Sequence, residues 1–193
     1  MMNDLPLANL PKLYMLLLGS KAPQRNVEQH DVFFGIATSL KELVPQINAF
    51  WPEAGASIHI DAWREVNNVN GFQVNIATKE SSNPPSMKKL FFINLGGYQP
   101  NKFEEQHYTV LSVQEDMAQA IKEAKQTVFF KTNLMDGANS HVDDKYGIDV
   151  DDIYKVEDML SPQSKEIYQI ELTETGNLPE DQIHLGYFKL EKL

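Results

Sequence analysis

The sequence predicts an α+β protein built from a duplicated β-loop-β-α-β-β unit, with a mixed, largely antiparallel sheet and a terminal two-strand half-repeat. Three observations predict it. The chain repeats itself at an offset of 77 residues, its short apolar runs read as strands, and each copy carries a helix-start signal at the same point.

The first strand and the loop after it show the repeat most plainly. KLYMLLLGSKAPQRNVEQH (residues 12–30) lies over KLFFINLGGYQPNKFEEQH (residues 89–107) without a gap. Eight of the nineteen positions are identical, among them Gly19/Gly96, Glu28/Glu105, Gln29/Gln106 and His30/His107. Chance would give about one, so the unit is duplicated. The second strand follows as VFFGI over TVLSV. Ser39 with Glu42, and Asp116 with Gln119, then spell capping boxes that start a helix in each copy. The apolar stripes of these helices also correspond, Leu40, Leu43, Val44 and Ile47 lying over Met117, Ala120, Ile121 and Ala124. Pro45 removes one bond of the first helix and predicts a kink there.

After the helices the offset widens to 82, which places IHIDAW over SHVDDK and matches His59 to His141 and Asp61 to Asp143. Phe72 and Val74 then match Tyr154 and Val156, and Asn70-Gly71 predicts a hairpin turn. KESSNPPSM (residues 79–87) reads as a linker. A third, partial copy returns to the offset of 77 and sets His184 under His107. The expected units are residues 1–86, 87–163 and 164–193, packing together, with the half-repeat closing a sheet edge.

The totals exclude several function classes. In 193 residues the net charge is −10, and no basic patch interrupts it, so neither nucleic acid nor an anionic membrane is an expected partner. There are no cysteines, which removes disulfides, zinc–thiolate sites and thiol nucleophiles. LYMLLLG (residues 13–19) is too short and too poorly flanked for a signal peptide, so the expected location is the cytoplasm. No glycine-rich phosphate loop or nucleophile elbow is present, no serine stands out, and no motif specifies a cofactor. Gly19-Ser20 and Gly96-Gly97 read as turns after the first strands.

All five histidines fall at repeated positions. His30, His107 and His184 form one class, and the first two sit in a candidate polar site of Glu28, Gln29, His30, Glu105, Gln106 and His107. The plain structural reading is a histidine at the rim of a core, bonding a carbonyl or the neighbouring Glu. The functional reading is a polar site at a strand end with Glu28 or Glu105 orienting the imidazole. His59 and His141 form the second class. With Asp61 and Asp143 they are candidate metal ligands, because His and Asp two apart on a strand can reach one ion. A solvated strand face explains His-x-Asp equally well. Strand alternation groups His59, Asp61 and Trp63 opposite an aliphatic face, whereas His30 shares a face with Val32, Phe34 and Ile36. That pattern leans against the two classes meeting. The acidic stretch 141–159 lacks the residue order of a calcium loop and reads as solvated loop, with Asp149, Asp151 and Asp152 as a secondary cation candidate.

The combination EQHDVFFGI, LKELVPQINAFWP, HIDAW and HVDDKYGIDVDDIY resembles a family of small, uncharacterised bacterial proteins. That family is built from one or two copies of a short domain of unknown function. The resemblance implies a bacterial cytoplasmic origin and two copies; it implies no activity and carries over no catalytic residue.

The sequence therefore favours a non-enzymatic binding or regulatory protein with pseudo-twofold symmetry, whose partner is a protein, a small-molecule ligand or a second copy of the chain. The alternative is a metal-assisted hydrolase using the repeated His, Asp and Glu positions. It requires the two histidine classes to converge. In a third reading the EQH elements only order the fold.

Overall fold

The computed structural model describes residues 10–81, 83–84, 86–97, 103–133 and 149–193. The chain forms two units, one of Met1–Pro85 with Met159–Leu193 and one of Ser86–Asp158. The first break falls inside the Ser/Pro-rich stretch expected to be a linker.

The first unit contains β1 (Lys12–Ser20), β2 (Gln29–Ala37), α1 (Val44–Phe50), β3 (His59–Glu65), β4 (Asn68–Val69) and β5 (Phe72–Thr78). The second contains β6 (Lys89–Gly97), β7 (Gln106–Gln114), α2 (Met117–Asn133) and β8 (Asp149–Lys155). The helices α3 (Val156–Met159) and α4 (Pro162–Ile167) come next, followed by β9 (Tyr168–Glu174) and β10 (His184–Lys189). Strand orders are β10-β3-β1-β2 and β4-β5-β9 in the first unit and β7-β6-β8 in the second, with antiparallel neighbours. The protein is thus α+β with antiparallel sheets.

The duplication is visible in the ladders. β1 pairs with β2 from Lys12↔Ala37 to Ser20↔Gln29, and β6 pairs with β7 from Lys89↔Gln114 to Gly97↔Gln106. Both sets run 77 residues apart (89 − 12 and 114 − 37). The cores correspond in the same way. Tyr14, Leu16, Leu18, Leu43 and Ile47 are buried in the first unit. Phe91, Ile93, Leu95, Ala120 and Ala124 take their places in the second. Each buried Leu or Ile of this kind contributes roughly 1.5–3 kcal/mol, so the shared stripe holds strand to helix in both units.

The third strands obey a different offset from the expected 82. Gly19 pairs with His59 and Gly96 with Asp149, while Tyr14 pairs with Glu65 and Phe91 with Lys155. The offset is 90 (149 − 59 and 155 − 65). Asp149 and Asp151 therefore stand where His59 and Asp61 stand, and the matches of His59 to His141 and Asp61 to Asp143 are replaced. His141 and Asp143 themselves lie outside the described residues. The expected partners of Phe72 and Val74 also change, since Tyr154 aligns with Arg64 and Val156 begins a helix. The helical stretches match in length, Leu40–Ser57 in the first unit and Met117–Asn133 in the second, so the added residues lie between Asn133 and Asp149 and the second chain segment re-enters the sheet later.

The terminal strands also depart from a copied hairpin. β9 and β10 join separate sheets of the first unit, β9 on β5 and β10 on β3. Each covers an edge, but His184 pairs with Trp63 and stacks on its ring at 3.9 Å rather than taking the place of His30.

Local signals fared unevenly. Asn70 and Gly71 have φ of 52° and 80°, the left-handed pair that a tight hairpin turn between β4 and β5 needs. Asp116 accepts from the Gln119 N–H at 2.8 Å and starts α2 as expected. Ser39 makes no such bond; Glu42 instead accepts from the Thr38 N–H and hydroxyl at 2.9 and 2.8 Å. Those two bonds hold the Glu42 carboxyl below its ordinary range. Pro45 causes no kink, because Leu40–Leu43 is a 3-10 turn and Pro45 falls in the first turn of α1, where its missing N–H costs nothing. Among the described residues no helix is long and apolar enough to cross a membrane.

Burial pushes the Tyr14 hydroxyl up to about 12, with Glu65 and Glu42 adding to the effect. A raised folded-state value means that the folded chain keeps this proton when the unfolded chain has lost it. The corresponding stability is complete below pH 10 and disappears as pH rises to 12. Chemical denaturation of wild type and Tyr14→Phe across that window will show the wild type losing stability more steeply. Parallel curves would contradict this placement of Tyr14.

Candidate functional site

The site forms because β1 is a central strand whose penultimate residue, Gly19, has no side chain. Gly19 pairs with His30 of β2 on one side and with His59 of β3 on the other. Residues in one row across a sheet point to one face, so the two histidines face the same way with Gly19 as a floor between them. A Cβ on Gly19 would lie 2.5 Å from Asp61 Oδ2 and 2.6 Å from His59 Nε2. Gly19 and Gly96 are thus strand residues, not turn residues, and their lack of a side chain leaves room for donor atoms.

Asp61 reaches the row through a bulge. Leu18 pairs with Ile60 and Leu17 with Ala62, which leaves Asp61 as the extra residue on β3. A bulge re-aims side chains and shifts the alternation beyond it. Asp61 stays on the face of His59, while Trp63 turns to the side of Leu16, Leu18 and Ile60 and packs on that core. This corrects the expected grouping of His59, Asp61 and Trp63.

Glu28, His30, His59 and Asp61 consequently close a ring. His59 Nε2 lies 3.2 Å from Glu28 Oε1 and 3.2 Å from Asp61 Oδ1. His30 Nε2 lies 3.1 Å from Asp61 Oδ2 and 3.9 Å from Glu28 Oε2. The two histidine classes meet in this unit, against the lean of the alternation. The reason is that both faces of the sheet carry buried apolar residues (Leu13, Phe34 and Ile36 on one, Leu16, Leu18 and Ile60 on the other), so apolar alternation does not identify a side.

His59 is the unusual member, only 2% exposed. Its Nδ1 lies 2.9 Å from the Ser57 carbonyl. A carbonyl only accepts, so Nδ1 carries a proton and donates. The other nitrogen, Nε2, is buried and makes no hydrogen bond, although two carboxylate oxygens stand 3.2 Å away. Asp61 Oδ2 is likewise buried without a hydrogen bond. An imidazole anchored through Nδ1–H to a carbonyl, with Nε2 directed at carboxylates, is the arrangement of a metal-ligating histidine. Donors each 2.0–2.2 Å from a tetrahedral ion stand about 3.3–3.6 Å apart and do not point along one another's bond axes. Three of the four contacts, at 3.1–3.2 Å, lie near that spacing and the fourth, His30 to Glu28, is longer at 3.9 Å; each carboxylate uses one oxygen toward each histidine. Over this end sits Tyr187, its ring 4.1 Å from the His59 imidazole, where Gly186 and Tyr187 of β10 stand opposite Asp61 alone.

Gln29 does not join the ring. Its Nε2 donates to the Val27 carbonyl at 2.6 Å, and Gln106 repeats the bond to Glu104 at 3.5 Å. Within each EQH, Glu and His face the cluster and Gln orders the loop. In the second unit His107 Nδ1 lies 3.3 Å from Asp151 Oδ2, and His107 Nε2 lies 3.9 Å from Glu105. Asp152 accepts from Asn94 at 3.4 Å and from the Tyr154 hydroxyl at 3.3 Å. The sequence reading missed Gly19, Ser57, Tyr187, Asn94 and Gly96. The identity of Gly19 and Gly96 across the repeat was the one signal that could have found any of them.

Residues 25–76 match the model of a family described as a Domain of Unknown Function (DUF1543). All four residues of the ring fall within that stretch. No curated protein matches the chain. Among solved structures, the crystal structure of a protein Il1583 from Idiomarina loihiensis is similar at a TM-score of 0.61 and 21% identity, covering 93% of this chain and 98% of that one. That likeness shows a shared fold and carries no function.

Gly19→Ala tests how the ring is built. The methyl meets the ends of movable side chains rather than backbone, so the sheet survives while His59 and Asp61 are pushed apart. Long-range 1H–15N spectra of the imidazoles will show the His59 resonances displaced with far-UV circular dichroism unchanged. An unmoved His59 ring would contradict the geometry.

Proposed function

We propose that the chain is a metal-binding protein, and that its first unit holds a divalent transition-metal ion, zinc foremost, between Glu28, His30, His59 and Asp61. The observation that carries the reading is His59 Nε2, buried, without a hydrogen bond and flanked by two carboxylate oxygens, with Nδ1 already donating to Ser57. Two imidazoles and two carboxylates suit zinc, and manganese or iron less closely. Two carboxylates crowd an imidazole nitrogen that makes no hydrogen bond to either of them. A cation relieves that cost.

Four side-chain donors fill a tetrahedral shell. Catalytic zinc sites keep one position for water, so the donor count supports a binding or regulatory role over hydrolysis. The acidic balance of the chain, −10, suits attraction of cations and disfavours nucleic acid. A bacterial, cytoplasmic setting belongs to the same proposal and rests on the family resemblance.

The test is elemental mass spectrometry on untagged protein washed with a weak chelator, with His59→Ala and Asp61→Asn alongside. Wild type will retain near-stoichiometric zinc and both variants will lose it. Added zinc will also raise the melting temperature of wild type, since an ion at 100 times its Kd stabilises by about 2.7 kcal/mol. Zinc-free wild type whose melting ignores added zinc would refute the reading.

A further inference from the structure

The second unit contains a related arrangement, in which the histidine turns Nδ1 rather than Nε2 to the bulged aspartate. β6 is central, and Gly96 pairs with His107 of β7 and with Asp149 of β8, as Gly19 pairs with His30 and His59. The register again shifts between the fourth and fifth rungs, so Asp151 is the bulged residue as Asp61 is. Its carboxylate lies against Gly96, where a Cβ would collide with Asp151 Oδ2. Glu105 stands 3.9 Å from His107 Nε2, the separation seen between Glu28 and His30. Glycine, EQH and bulged aspartate have all persisted through a duplication in which the surrounding strands diverged. One ligand atom each of Glu105, His107 and Asp151 lies within 4.8 Å of the others.

Two exchanges separate the sites. The backbone register puts Asp149 at the position of His59, and the row of Leu17 holds Asn94. The Asn94 amide nitrogen lies 3.3 Å from His107 Nδ1. The same nitrogen donates to Asp152 at 3.4 Å, so Asn94 fixes the neighbouring side chains rather than supplying a donor oxygen. The set that remains, two carboxylates and one imidazole, has one imidazole fewer than the first. Half of the His107 side chain is exposed, much as His30 is, which leaves room for the waters that six-coordinate hard cations retain.

We propose that Glu105, His107 and Asp151 form a second cation site that takes a harder divalent ion of the manganese class, so that one chain carries two metal sites of different preference. The second site does not require the first to be filled.

The test is Mn2+ titration followed by electron paramagnetic resonance on the full-length chain carrying His59→Ala, which removes the first site. The signal of free hexaaqua Mn2+ falls as the ion binds. In that background one Mn2+ will bind per chain. Adding His107→Ala or the isosteric Glu105→Gln will weaken binding by at least about tenfold. Circular dichroism checks that the variants are folded, and Glu105→Gln keeps the test decisive if His107→Ala disturbs β7. Mn2+ binding unchanged by both second-unit variants would overturn the proposal. So would binding that disappears with His59→Ala alone, which would assign the ion to the first site and leave the zinc reading standing.

Discussion

Near the end of β1 the chain has a glycine between two strands that each bring a histidine to the same row, and the candidate site depends on that missing side chain. A methyl group there would occupy the space of Asp61 Oδ2 and His59 Nε2. The bulge opposite Leu17 and Leu18 supplies the second condition, because it holds Asp61 on the face of His59 while sending Trp63 to the core. Ser57 supplies the third by fixing the imidazole through Nδ1. Glycine, bulge and carbonyl anchor all belong to the backbone, which places His30, His59 and Asp61 on strands, with Glu28 immediately before β2.

Duplication followed by exchange of a donor is an economical route to two sites of different chemistry. The strand–strand–helix frame persists, as the matching rungs of β1–β2 and β6–β7 and the matching core stripes make clear. What differs is concentrated around the row of Gly19 and Gly96, where an imidazole gives way to a carboxylate and a leucine to an asparagine. Metal preference follows donor type and number more than overall fold, so the exchange of a donor suffices to alter it.

Much of this frame was legible in the sequence. The duplication could be read because residue identity survives through β1, its loop and β2, and the Asn70-Gly71 turn because two left-handed residues are needed there. The pairing of EQH with His59 and Asp61 could not. A histidine and an aspartate at 141 and 143 imitate the spacing of 59 and 61, and only the ladders reveal that the third strand of the second unit is Asp149–Lys155. Gly19 and Gly96 looked like turn residues, since a strand glycine needed for space has the same signature as one needed for conformation. The bulge has no sequence period of its own, so strand alternation misplaced Trp63.

In the proposed site one ion draws both His30 and His59, from opposite sides of Gly19. X-ray absorption at the zinc edge, on protein loaded with one equivalent of zinc, measures that directly. Two imidazoles and two oxygen donors at about 2.0–2.2 Å are expected. A shell of oxygens with no imidazole scattering, or a single imidazole unaffected by His59→Ala, would contradict it.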